Sequence, residues 1–157
     1  RLAEHFNENP VKYRSIEFVP GIVSTLQRRN LVVTDPAEKG LKQSLFTQRN
    51  LGDFTTYEEA YHQLMVDIVS QQYSSSQLVI KGTDVKRIFV DGGFSKNALY
   101  MNLLAMAFPE MEVYAASMAQ GTAVGAALAI HKAWNKKPLP NNIIELKYYS
   151  ISHDAFV

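Results

Sequence analysis

Residues 85–97 read Val-Lys-Arg-Ile-Phe-Val-Asp-Gly-Gly-Phe-Ser-Lys-Asn. The apolar run Ile88-Phe89-Val90 reads as a strand that stops at a glycine pair. A helical segment follows directly, starting near Lys96 or Asn97. A strand that turns sharply into a helix leaves backbone N–H groups free at the helix start. Together with the positive end of the helix dipole, they suit an anion or the polar edge of a nucleotide. Gly92 and Gly93 lack a Cβ, so the backbone can take an unusual turn and a flat ligand can approach closely. Asn97 lies one helical turn past Gly93, where its amide offers donor and acceptor to a purine. By itself, a Gly-Gly after a strand is more often a plain tight turn.

Upstream, Thr55-Thr56-Tyr57-Glu58-Glu59 carries a helix-start signature, a hydroxyl followed three residues later by a carboxylate. Tyr57, Ala60, Tyr61, Leu64, Met65, Ile68 and Val69 recur at helical spacing and predict a helix to Leu78 or Ile80. The Gly82-Thr83-Asp84 turn then hands over to a strand at 86–90. Downstream, the pattern predicts a helix over 96–107 burying Leu99, Leu103, Leu104 and Met106 or Ala107, capped by Ser95 and stopped by Pro109. A strand at 112–116 and a small-residue helix over 119–135 complete the order helix, strand, helix, strand, helix. Its connections are long enough for parallel, right-handed crossovers, half of an α/β domain. Before residue 55, prolines and glycines punctuate short segments that suggest helices over 21–29 and 36–45, with a strand or connector at Leu31-Val32-Val33. Residues 2–6 read as the last turns of a helix, and 143–149 as an extra strand or a surface strap.

The 157 residues are enough for one domain with a core. A net charge of +1 argues for neither nucleic acid nor a membrane surface. Lys81, Lys86, Arg87 and Lys96 are interrupted by acids and apolar positions, as on a solvated face. No apolar run nears the roughly 18 residues that span a bilayer. The opening Arg1-Leu2-Ala3-Glu4-His5-Phe6 lacks a signal peptide's apolar segment and looks like a helix entered part-way, so the chain reads as a fragment. The absence of cysteine excludes disulfides, thiolate nucleophiles and Cys-held metals, and fits a cytoplasmic location. His5, His62, His131 and His153 show no metal-ligand spacing; His62 and His131 read as polar positions on helix faces. His153-Asp154 makes no triad. No metal ligand and no catalytic residue is assigned.

Three features stand at fixed spacing: the Gly92-Gly93 pair after a strand, Asn97 four residues past the second glycine, and the helix Ala123-Val124-Gly125-Ala126-Ala127. From Phe89 to about Ala129 the chain resembles the end of the FGGY family of carbohydrate kinases, in the actin-like ATPase superfamily. There a strand ends in Gly-Gly, an Asn lies four residues on, and an Ala-Leu-Gly-Ala-Ala helix follows. The resemblance extends over 55–135. It divides the chain into an upstream segment or insertion (1–54), the nucleotide-binding half of a C-terminal actin-like domain (55–135) and a tail (136–157).

This resemblance implies an α/β fold, part of an actin-like, ribonuclease H-like domain, in which three antiparallel strands precede the helix at 55 and complete the sheet; three convincing strands are not found there, so either they lie upstream or part of residues 7–54 is a family insertion. It implies ATP as cofactor, Mg carried by the nucleotide, and transfer of a phosphoryl group to a hydroxyl of a small carbohydrate or polyol. Gly93 and Asn97 would lie against the adenosine half of ATP, with Gly92 beside them. The small-residue helix would back the adenine pocket, its Gly121 and Gly125 allowing close packing on the sheet or on the 97–107 helix. Apart from the resemblance, Asp91 at the strand end is either a carboxylate that binds a ribose hydroxyl or a metal, as acids do elsewhere, or an exposed turn carboxylate. The Asp-x-Gly-Thr phosphate motif and catalytic Asp of such kinases are not found, since Gly82-Thr83 and Gly121-Thr122 lack the surrounding acid and glycine. The fragment is therefore expected to catalyse nothing alone. No nucleic-acid or membrane partner is expected, and a homodimer is compatible with the reading. The alternative is a non-catalytic interaction or scaffold domain with an actin-like half-fold and a purely structural Gly-Gly turn.

Overall fold

A computed structural model describes residues 1–29, 44–116, 121–139 and 143–150. Along the chain these form α1 (Leu2–His5), α2 (Pro20–Arg28), α3 (Tyr57–Ile80), β1 (Arg87–Val90), α4 (Ala98–Ala107), β2 (Glu112–Ala116), α5 (Gly121–Ala129), α6 (His131–Trp134) and β3 (Leu146–Tyr149). The expected strand at 31–33, all but the end of the expected helix at 36–45, and the His153-Asp154 pair lie outside the described residues.

Helix α3 starts at the predicted hydroxyl. Thr56 Oγ1 accepts the Glu59 N–H at 3.1 Å, and the Glu59 carboxylate accepts the Thr55 N–H at 2.7 Å. This reciprocal arrangement satisfies donors that every helix start leaves over. Tyr57, Ala60, Tyr61, Met65 and Val69 are buried along the helix, and so are the polar His62, Gln63 and Asp67. Each of these polar groups is bonded. The Asp67 carboxylate accepts from Arg49 Nε and Nη2 at 2.5 and 2.6 Å, and from Gln63 Nε2 at 2.8 Å. That clamp fixes the 44–54 segment on α3, where Phe46, Leu51 and Phe54 form an apolar cluster with Leu26 and Ala60. The main core lies between α3, α4 and one sheet face, with Leu99, Met101, Leu104 and Val113 almost fully buried.

The sheet runs β1-β2-β3, with β1 parallel to β2 (Ile88 opposite Val113, Val90 opposite Ala115) and β3 antiparallel to β2 (Tyr149 opposite Val113). The expected parallel pair is therefore present, and the tail supplies an extra strand. Ile88, Val90, Val113, Ala115 and Tyr149 turn toward the core. The other face carries Phe89, Tyr114 and Tyr148 in a row, with ring centres 5.4 and 5.3 Å apart. Beside them Arg87 Nε donates to Glu112 Oε2 at 2.6 Å.

Among the described residues no strand precedes α3, in keeping with the lack of convincing strand patterns there. Several other expectations need correction. The 119–135 helix is two helices, α5 and α6, separated at Ile130. No residue of α5 is buried, and Gly125 is exposed with no atom within 4 Å of where a Cβ would sit, so it is not a packing glycine. Helix α4 buries Tyr100, Met101 and Ala105 besides Leu99, Leu103 and Leu104, whereas Met106 and Ala107 are only partly buried. His62 is fully buried, not on an exposed face. Its Nδ1 hydrogen-bonds the Glu58 carbonyl at 2.7 Å and its Nε2 accepts the Val19 N–H at 3.2 Å.

Candidate functional site

The turn from β1 into α4 is built residue by residue. Asp91 Oδ1 accepts the Gly92 N–H at 2.6 Å. Gly92 has φ of +76°, a left-handed conformation that a side chain would strain, so the turn does require a glycine there. Gly93 is different. Its φ of −63° and ψ of −37° suit any residue, and open space surrounds its Cβ position. A 3-10 turn over Phe94–Lys96 follows, and the buried Ser95 donates its hydroxyl to the Gly92 carbonyl at 2.8 Å. Ser95 thus ties the turn together and is not the cap of α4.

Asn97 is that cap. Its Oδ1 accepts the Tyr100 N–H at 3.0 Å, which fixes the side chain at the first turn of α4. Its Nδ2 donates to Tyr61 Oη at 2.9 Å and lies 3.9 Å from Met65 Sδ, both on α3. Burial pushes the Tyr61 phenol up from its ordinary pKa, and the bond from Asn97 opposes that shift. Tyr61 consequently stays a neutral hydroxyl across the physiological range. An amide has two N–H donors and two carbonyl lone pairs. After capping and the bond to Tyr61, Asn97 retains one lone pair and gives its second N–H to the Met65 thioether, a weak acceptor.

Gly93 and Asn97 both line a cavity of about 900 Å³, whereas Gly92 does not. Tyr61 and Met65 of α3 and Phe94, Lys96 and Ala98 of the β1–α4 connection share it, and its remaining wall is residues 13–17. Sequence reading missed that wall. Nothing local marks it, because it is placed by tertiary contacts with α3 and the core, among them Lys12 to Glu58 and Val19 to His62. Tyr61 was legible as a helix-face residue but not as the partner of Asn97. Asp91 is exposed at the rim of the turn, its Oδ2 lying 2.7 Å from a Cβ built on Gly121, so the start of α5 comes close to the acid. No helix among the described residues is long and apolar enough to cross a membrane.

With this geometry in hand, the chain can be set against known proteins. The model of the FGGY family of carbohydrate kinases, C-terminal domain, matches residues 55–134, half of the chain. The match takes in α3 through α6 with the glycine turn and Asn97. No curated protein and no solved structure matches.

Proposed function

This chain belongs to the FGGY family of carbohydrate kinases, and from that premise we propose that it is the C-terminal, nucleotide-binding part of an ATP-dependent sugar or polyol kinase. The domain is read as part of an actin-like ATPase fold, residues 55–135 forming its nucleotide-binding half, with the cytoplasm as its location. The adenosine half of ATP enters the cavity beside Gly93 and Asn97, and Gly92 shapes the turn that opens it. The observation that carries this reading is that the family match covers the glycine turn and Asn97, while both Gly93 and Asn97 line one cavity.

The residues present suit a nucleotide. Ligand pockets typically enclose about 300–1,000 Å³, and this cavity is at the upper end of that range. The missing Cβ at Gly93 leaves room for a flat ring, and the spare lone pair of Asn97, with the N–H that it otherwise gives to the weakly accepting Met65 thioether, matches the amino and ring-nitrogen edge of adenine. Tyr61 holds the Asn97 amide in place, so the residue meets a base already oriented. ATP with its Mg supplies the transferable phosphoryl group when bound. The chain's own residues bind and orient the nucleoside, and the base that takes the sugar hydroxyl's proton belongs to another part of the enzyme.

The test is phosphoryl transfer. The full-length kinase is assayed with ATP and a panel of aldoses, ketoses and polyols, alongside the 157-residue chain alone. The expected result is ATP-dependent phosphorylation of at least one panel member by the full-length protein and none by the isolated chain. Absence of transfer to any of them, with no binding of ATP or ADP by the folded full-length protein, would overturn the proposal.

A further inference from the structure

The wall of the cavity formed by residues 13–17 lies outside the span that matches the family, and it is firmly anchored. Lys12 Nζ lies 2.6 Å from Glu8 Oε1 and 2.8 Å from Glu58 Oε1, the second contact reaching the first turn of α3. Ser15 Oγ donates to the Lys12 carbonyl at 2.9 Å, closing the 3-10 turn Lys12–Ser15. Beyond the wall, the Val19 N–H is held by the buried His62. Both ends of the wall are thus tied to α3, the helix that also carries Tyr61. On this anchored backbone the exposed Arg14 donates from Nε to Tyr13 Oη at 3.3 Å, with its guanidinium carbon 5.8 Å from the centre of the Tyr13 ring.

The charges around the cavity are unequal. Arg14 and Lys96, from different elements, stand against the single carboxylate of Glu17, while Tyr61, Met65 and Ile16 add less polar surface. A neutral base and ribose do not require a cationic lining, but a chain of phosphates does. Guanidinium suits the task because its fork of N–H donors matches phosphate oxygens.

We infer that Arg14 is a charge-reading residue of this pocket, binding the phosphates of ATP or ADP from the wall that residues 13–17 supply; this rests on the nucleotide reading above. Arg14 reacts with nothing. It sets how strongly the enzyme prefers a nucleotide to the bare nucleoside.

The experiment compares Arg14→Ala, Arg14→Lys and Gly93→Val in the full-length kinase, with melting temperatures as a check on folding. Arg14→Ala should raise the KM for ATP by about ten-fold or more, the range for losing one charge-assisted hydrogen bond, with kcat and the sugar KM held. Arg14→Lys, which keeps the charge, should recover much of the loss. Adenosine, used as a competitive inhibitor, should keep its inhibition constant in all three Arg14 forms. An unchanged ATP KM in folded Arg14→Ala, with Gly93→Val raising it, would overturn the role of Arg14 and leave the pocket standing. Equal weakening of adenosine and ATP would make Arg14 a contact to the base and also overturn the inference. If Gly93→Val leaves ATP dependence intact as well, the nucleotide reading itself fails.

Discussion

Asn97→Ala and Asn97→Asp together separate the two tasks that the structure gives this side chain. The alanine removes the bond from the Tyr100 N–H to Oδ1 and the bond from Nδ2 to Tyr61 Oη. Loss of a helix cap costs about 1 kcal/mol, and loss of a neutral hydrogen bond about 0.5–1.5 kcal/mol. The Tyr61 hydroxyl borders the cavity, where water can replace the amide. The sum is about 1.5–2.5 kcal/mol, a drop in Tm of about 3–10 °C for a chain of this size. Aspartate keeps the cap and places a negative charge at a helix start, which is favourable. Tyr61 can donate to that carboxylate, so Asn97→Asp should melt within a few degrees of the wild type. It does lose the N–H donors of the amide. In the full-length kinase both variants should weaken ATP use by about two- to twelve-fold, the equivalent of one hydrogen bond, and narrow the preference for ATP over GTP. Urea or thermal unfolding by circular dichroism gives the first quantity, and initial rates with the two nucleotides give the second. Wild-type ATP and GTP kinetics in a destabilised Asn97→Ala and a stable Asn97→Asp would leave Asn97 a cap and nothing more. A fully stable Asn97→Ala would contradict the capping geometry itself.

Arg49→Ala should strip the buried Asp67 carboxylate of its two guanidinium bonds, leaving only that from Gln63. Breaking a buried pair in this way costs about 3–5 kcal/mol, to be read from urea midpoints; a loss under about 1 kcal/mol would show that the 44–54 segment is not held by the clamp. Burial holds the His62 pKa below its ordinary value, because protonation would place a charge in the core and displace the Val19 N–H. Unfolded His62 therefore binds a proton first: its contribution is complete above about pH 6.5 and falls as pH drops below that, by at most about 1.4 kcal/mol per pH unit. Stability measured from pH 8 to 5 should show this limb, and a folded His62→Gln should flatten it; the same slope in both proteins would refute the assignment. Gly125→Ala, in an exposed helix with open space at the Cβ, should stabilise the chain by about 0.5–1 kcal/mol, and a loss of stability would show that α5 packs closely after all.

The elements that were legible in the sequence are those specified by neighbouring residues. Thr56 and Glu59 announce the start of α3 within four positions, the run at 87–90 is short and apolar, and Pro109 follows the end of α4 at Phe108. The glycine turn was legible for the same reason, since a strand and a turn are local, whereas the cap expected of Ser95 is supplied by Asn97. What could not be read depends on distant parts of the chain. His62 sits on a helix whose spacing gives no sign that Val19 will cover it. Arg14 comes to the cavity through Lys12 and Glu58, separated by most of the upstream segment. The small-residue pattern of α5 suggested close packing at both of its glycines; Gly121 does come close to Asp91, but Gly125 is exposed, because composition allows close approach without requiring it. The two glycines also differ in a way their letters do not show. Gly92 is needed for its backbone, while Gly93 leaves space.

That last difference gives the most direct test of the central claim, that ATP binds against the β1–α4 turn. At Gly93 the backbone is ordinary and no atom lies within 4 Å of the Cβ position, so Gly93→Val should fold with a stability change within about 1 kcal/mol. The valine side chain would instead occupy space that the nucleotide needs. Steady-state kinetics of the full-length Gly93→Val kinase, with ATP and sugar varied in turn, should show a large rise in the KM for ATP and little change in the KM for the sugar. A folded Gly93→Val enzyme with wild-type dependence on ATP would contradict the account.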